Sequence, residues 1–379
     1  MSNFLINSRA QSSINLPPFS TRALEFHRSL PVYNASPLHS VKNIAEFYGY
    51  NNIYVKDESN RFTLPAFKVL GASFATFKVL EQKFNIKYST IDEFKSELAK
   101  CGGLELVTAT DGNHGRAVAF IARLLGLKAR IYVPKHTKES RIRAIESEGA
   151  QVIIINGNYD KAVEIASKQD AIIIQDTGYV GYEDIPKYIV EGYSTMFWEI
   201  EEQLSTNDLP NPDVIIAPIG VGSFISAVIQ FYKSTSPYHP IILGVEPKKA
   251  PCALESIRQD LIITLKGRYE SVMAGLSCGR ISTISFPILR EGVDAFLLVS
   301  DEQALKAMKV LAKQNIVSGE SGAASFAALV LLFSEEGSQI REYYHIDDST
   351  NFLVFSTEGA TDPFMYSKVM NTNNLKELI

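Results

Sequence analysis

Four stretches of this chain, "QVIIIN", "DVIIAPIG", "PIILGVEP" and "NFLVFSTEG", run through consecutive apolar residues, many of them β-branched. A strand with one wet face alternates apolar and polar residues. These do not, so the sheet they build is expected to be covered on both faces. Segments of helical spacing separate them, among them "FKVLGASFATFKVLEQKF", "RAVAFIARLLGL" and "KESRIRAIESEGA", the last closing on a glycine. Apolar strands alternating with helices specify an α/β chain with mainly parallel sheets and helices on both sides. The longest apolar run, "AASFAALVLLF", is too short to span a bilayer and reads as a buried helix.

With 379 residues the chain has room for two domains of ordinary size. "KYSTIDEFKSELAKCGG" reads as an exposed connection entering a compact α/β unit that ends near "AIIIQDTG". A second unit resumes after "IPKYIVEGYSTMFWEI". The expected layout is a large domain, residues 1–85 and 190–379, carrying a smaller inserted α/β domain, 86–189. A net charge of −5 supplies no basic face for nucleic acid or an anionic membrane. The first thirty residues lack the apolar core of a signal peptide. The three cysteines, Cys101, Cys252 and Cys278, have no CxxC spacing. A cytoplasmic protein with free thiols is expected, with a Cys252–Cys278 pairing left open.

In open parallel sheets, ligands sit beyond the carboxyl ends of strands, and four loops there carry unusual residues. "ATDGNHG" crowds Asp111, Asn113 and His114 between Gly112 and Gly115, where backbone amides at a helix start favour an anion. A helix cap by Asp111 or Asn113 is the simpler reading, but three polar side chains exceed what one cap needs. "PIGVGSF" places Gly220, Val221, Gly222 and Ser223 in a strand-to-helix turn able to hold a phosphate. It lacks the third glycine of the dinucleotide fingerprint and the Gly-Lys-Ser/Thr of a P-loop. Asp176 follows the apolar run "AIIIQ", as a turn residue or as a general acid/base. Ser356 and Thr357 end the last strand. "SGESGA" does not fit the G-x-S-x-G nucleophile elbow, and the six histidines show no metal-ligand spacing. Lys68, opening an apolar helix in "AFKVLG", is either a snorkelling lysine or a reactive amine; Lys78 reads as a solvated face residue.

Taken in order, "KDESNRFTLPAFKVLG", "ATDGNHG", "QDTGYVGYEDIPKYIVEGY", "PIGVGS", "GVEP", "MAGLSCG", "SGESGA" and "STEGATD" resemble the pyridoxal-phosphate enzymes of fold type II. Within that group the chain is similar to the diaminopropionate ammonia-lyases. Asp111, where the related dehydratases usually carry serine, and Asp176 in "QDT…GY" are the distinguishing matches. Tyr179 stands where tryptophan is more frequent, and "GASFA" replaces a more glycine-rich run.

The resemblance implies two doubly wound α/β domains, pyridoxal 5′-phosphate as cofactor, a small amino-acid substrate and a homodimer. By the same resemblance, Lys68 forms the Schiff base with the cofactor. Gly220, Val221, Gly222 and Ser223 hold its phosphate, Asn113 its ring hydroxyl, and Thr357 lies at its ring nitrogen. Asp111 and Asp176 serve as bases for the D- and L-isomers, and Gly112 and His114 join them in binding substrate. The expected reaction is α,β-elimination of 2,3-diaminopropionate. A serine/threonine dehydratase with the same cofactor is the near alternative, and a non-catalytic α/β metabolite binder the distant one.

Overall fold

The computed structural model describes residues 3–110, 112–157 and 159–375. Its strands are β1 (Phe4–Ile6), β2 (Leu38–Ser40), β3 (Asn52–Asp57), β4 (Glu105–Ala109), β5 (Lys128–Pro134) and β6 (Gln151–Ile155), followed by β7 (Ile172–Ile173), β8 (Val214–Pro218), β9 (Ile241–Pro247), β10 (Ala295–Val299) and β11 (Asn351–Ser356). They form two sheets, one ordered β1-β10-β9-β8-β11-β3-β2 and one ordered β6-β5-β4-β7. All pairs are parallel except the two edges of the larger sheet, where β1 and β2 run antiparallel to their neighbours.

By packing, the chain divides into two compact units. The first comprises Met1–Ser20, Ala35–Arg61 and Met196–Ile379, and the second Thr21–Asn34 and Phe62–Thr195. The stretch 86–189 therefore falls within the second unit, which also takes in residues 62–85. The reason is the helix Lys68–Phe84, buried from Val69 to Lys78 and again at Leu80. It crosses the helix Asp184–Thr206 where Gly71 meets Gly192: a Cβ on Gly71 would stand 2.7 Å from Ile189 Cγ2, and one on Gly192 would stand 2.6 Å from the Leu70 carbonyl oxygen. Only glycines permit that approach.

In the first unit, alternate residues of each central strand point to opposite sides and both sets are buried. Val214, Ile216, Leu243, Val245 and Val354 pack under the helix Ala324–Phe333. On the other side Phe355 meets Phe224 of the helix Ser223–Gln230 and Phe197. This is the doubly covered parallel sheet that unalternating apolar strands require. The apolar run "AASFAALVLLF" is indeed an internal helix.

Two local expectations are corrected. "TIDEFKSELAK" is no loose connection but the helix Ile91–Lys100, burying Phe94 and Leu98. Thr90 caps the helix by accepting the Glu93 N–H, and the Glu93 carboxylate accepts the N–H of Ser89, one residue before the cap. Lys78 is not solvated: its side chain is 11% exposed, with Nζ 5.6 Å over the Tyr188 ring and 3.8 Å from Glu81. The carbon stem is what the helix packing uses.

Candidate functional site

In the second unit the parallel order puts β7 beside β4, so the loops leaving their carboxyl ends are neighbours. β7 is short because side chains replace its backbone partners. Gln175 Oε1 accepts from Thr108 Oγ1 (2.9 Å) and the Ala109 N–H (3.0 Å). The Tyr182 phenol donates to the Ile173 carbonyl and accepts the Gln175 N–H, each at 2.9 Å. These bonds fix the turn that presents Asp176.

Across from it, the β4 loop is organised by Thr110. Its hydroxyl accepts the N–H of Gly112 (3.0 Å) and of Gly115 (3.2 Å), capping the helix Asn113–Leu125 from outside. Gly115 is required, since a Cβ there would lie 2.1 Å from Thr110 Cγ2. Asn113 and Gly112 are half-buried at the helix start. Asp111 lies outside the described residues.

Lys68, Asp176 and His114 come together. Lys68 is the first residue of its helix, its side chain 22% exposed, and Nζ lies 3.0 Å from Asp176 Oδ2. His114 is buried; Nε2 lies 2.8 Å from the Ile174 carbonyl oxygen and Nδ1 3.9 Å from the same Oδ2. Burial pushes the Asp176 carboxyl up, but the Lys68 ammonium, His114 and the Lys68 and Thr177 hydrogen bonds outweigh it and hold it at about 2. Burial pushes the His114 imidazole down, with the Lys68 charge working the same way and Asp176 opposing. Tyr193, fully buried, also faces the Lys68 amine, its ring 4.8 Å from that of Phe67 and passing over Gly71. Burial raises its phenol to about 12 although Lys68 works against this. Sequence reading missed Tyr193; its one sequence signal is that it lies at helical spacing from Ile189, the residue packed on Gly71.

In the first unit, residues 220–223 follow β8 and Thr357 follows its neighbour β11. Gly222 has φ +98°, and a Cβ on it would stand 2.7 Å from Ser285 Cβ; one on Gly220 would stand 3.0 Å from the Gly275 carbonyl oxygen. Positions 220 and 222 therefore admit no Cβ, which bares main-chain amides at the start of the helix Ser223–Gln230. Val221 contributes its carbonyl to the Ser282 N–H at 2.8 Å. Ser223 and Thr357 are buried. "SGESGA" is explained as scaffold: Ser321 Oγ accepts the Gly275 N–H (3.0 Å), and Glu358 Oε1 accepts the Ser321 N–H (3.2 Å). Cys252 is buried and Cys278 half-buried, both as free thiols.

In the second unit, a partly exposed lysine amine on a buried carboxylate suits an aldehyde; in the first unit, a turn whose two glycines bare the amides of a helix start suits a phosphate. The family model described as "Pyridoxal-phosphate dependent enzyme" matches residues 30–341. A diaminopropionate ammonia-lyase of Salmonella typhimurium is 36% identical over 368 residues, covering 92% of this chain and 90% of that one. The chain belongs to the diaminopropionate ammonia-lyase family. The crystal structure of an Escherichia coli family member, in complex with an aminoacrylate-PLP azomethine reaction intermediate, superimposes with a TM-score of 0.87 at 31% identity. That match covers 97% of this chain and 96% of the other. An L-threonine ammonia-lyase of Thermotoga maritima stands further off, 28% identical over 76% of this chain. The mainly parallel α/β architecture is thus that of the family.

Proposed function

We propose that this chain, with pyridoxal 5′-phosphate, converts 2,3-diaminopropionate and water to pyruvate and two ammonia. The observation that carries the reading is the placement of Lys68 Nζ at 3.0 Å from Asp176 in a chain of this family. By resemblance to the family, the cofactor's aldehyde falls to Lys68, its phosphate to the amides of Gly220, Val221, Gly222 and Ser223, its ring hydroxyl to Asn113 and its ring nitrogen to Thr357; what supports the phosphate assignment is that Gly220 and Gly222 leave no room for a Cβ. Bound there, the cofactor supplies the electron sink that lets a proton leave the substrate α-carbon.

The chain's own residues supply the proton chemistry. Asp176, kept as a carboxylate by Lys68, is the base for the L-isomer, and Asp111 the base for the D-isomer. An amine leaves C3 only when protonated, so the substrate's second ammonium must enter charged, and carboxylates attract it where a serine would not. Gly112 and His114 belong to the loop that receives the substrate, Gly112 through its backbone and His114 from behind Asp176. Water then hydrolyses the three-carbon enamine to pyruvate with the second ammonia. Cytoplasmic residence and a homodimer complete the reading; Phe47 and Phe364, 81% and 68% exposed, offer apolar area for a partner copy.

Incubation with each diaminopropionate isomer, serine and threonine, with pyruvate (or 2-oxobutyrate) and ammonia measured together, tests it. Two ammonia per pyruvate from the diamino acid are expected, and Asp111→Asn should impair the D-isomer more than the L-isomer. Activity confined to serine and threonine, one ammonia per keto acid, would replace it with the dehydratase reading.

A further inference from the structure

Lys68 attacks a carbonyl only as a neutral amine, yet its ammonium rests on Asp176. The proton needs somewhere to go. Asp176 is in contact but is held at about 2 by the very charge that must leave. Behind it stands His114. The Ile174 carbonyl can only accept, so His114 Nε2 carries the hydrogen of that 2.8 Å bond and Nδ1 presents a lone pair. Nδ1 is buried with no hydrogen-bond partner among the described residues, 3.9 Å from Asp176 Oδ2, the oxygen that also touches Lys68. Thr177 Oγ1 lies 3.4 Å from the other oxygen, Oδ1, leaving Oδ2 as the shared atom.

We propose that His114 is the base that takes the Lys68 proton, handed across Asp176 Oδ2. The N–H bond at Nζ breaks as an O–H forms at Oδ2. That O–H breaks in turn as an N–H forms at Nδ1, after a small rotation of the Asp176 side chain closes the gap. The three groups keep the same summed charge: ammonium, carboxylate and imidazole become amine, carboxylate and imidazolium. The Lys68 charge that depresses His114 disappears in the same event, while the Asp176 charge that favours imidazolium stays. Among the described residues, the other groups facing this cluster do not compete. The Tyr193 phenol, at about 12, keeps its own proton, the Tyr182 phenol is committed to Ile173 and Gln175, and Arg141, bordering Gly112, is a permanent cation.

The inference rests on Lys68 being the cofactor lysine. His114→Gln keeps an N–H for the Ile174 carbonyl and removes the base. The full chain, stripped of cofactor, is mixed with pyridoxal phosphate between pH 5.5 and 10, and formation of the lysine imine is followed by its visible absorbance. The wild-type rate is expected to rise through an inflection below the ordinary imidazole value of ~6.5, the direction in which burial and the Lys68 charge push His114, and then level. The variant should lose that inflection, fall about tenfold or more at pH 7, and converge on wild type near pH 10 where hydroxide takes the proton. An unchanged profile overturns the inference alone. Absence of imine at Lys68 in the wild-type chain, by borohydride reduction and peptide mapping, overturns the functional reading with it. A second measurement leaves position 114 intact: in 15N-histidine-labelled Lys68→Ala, one Nδ1 resonance should shift to the protonated range at pH 7. No shift would sink the proposal.

Discussion

Arg61→Met tests how the segment leading to Lys68 is anchored. Arg61, Lys56, Glu58 and Glu199 have fully buried side chains and balance two cations against two carboxylates. Arg61 donates to Glu58 Oε2 (2.8 Å) and Oε1 (2.6 Å), to Glu199 Oε1 and Oε2 (both 2.7 Å), and to Ser36 Oγ (2.7 Å). Lys56 donates to Glu199, Gln203 and the Ser36 carbonyl. Methionine fills much of the volume but strands one negative charge out of water. Removing one member of a buried ionic set costs about 3–5 kcal/mol, equivalent to roughly 10 °C in melting temperature at ~2–4 °C per kcal/mol for a unit of this size.

The loss must depend on pH. Burial pushes Glu199 up, but Arg61 and then Lys56 outweigh it and hold it at about 2. In the wild type that depressed value stabilises the fold above the unfolded carboxyl range, near ~4.3, and the contribution fades as pH falls toward 2. In the variant the surplus carboxylate takes a proton, and its penalty grows as pH rises. Thermal unfolding by circular dichroism should therefore show a gap to wild type that is widest at pH 8 and narrows by pH 4. Arg61→Met combined with Glu58→Gln restores neutrality and should recover part of it. A gap below about 1 kcal/mol, or one flat from pH 4 to 8, would refute the reasoning.

Gly222→Ala forces φ +98° on an alanine and drives Cβ to 2.7 Å from Ser285 Cβ, so cofactor affinity by absorbance titration should drop about tenfold or more, with a strain cost of ~1–3 kcal/mol. Asp176→Asn removes a carboxyl whose pKa is depressed to about 2; stability that the wild type loses as pH falls from ~4 toward 2 should no longer be lost, seen as a shallower acid limb in unfolding curves.

The candidate site residues are named from the sequence in chain order, and among the described residues the structure brings Lys68, Asp176 and His114 together. Lys68 at the start of an apolar helix, Asp176 after an apolar run and the two-glycine turn at 220–222 each break the local pattern around them, the last two just beyond the ends of strands. Helix Ile91–Lys100 is also legible through Thr90 three residues before Glu93, although so charged a segment resembles an exposed connection. Lys78 misled for the opposite reason: residue type speaks for water, while its burial is set by helices distant in sequence.

By itself, then, the amino-acid sequence determined the α/β class, the parallel sheets and the loops at their carboxyl ends, because apolar periodicity and glycine placement are local properties. Only the tertiary structure decided that Arg61 meets Glu199, 138 residues away, that Tyr193 covers Lys68, and that His114 turns one nitrogen to Ile174 and the other to Asp176. Which proton sits on which atom depends on burial and on charges brought within a few ångströms by folding, and neither is written in the spacing of residues along a chain.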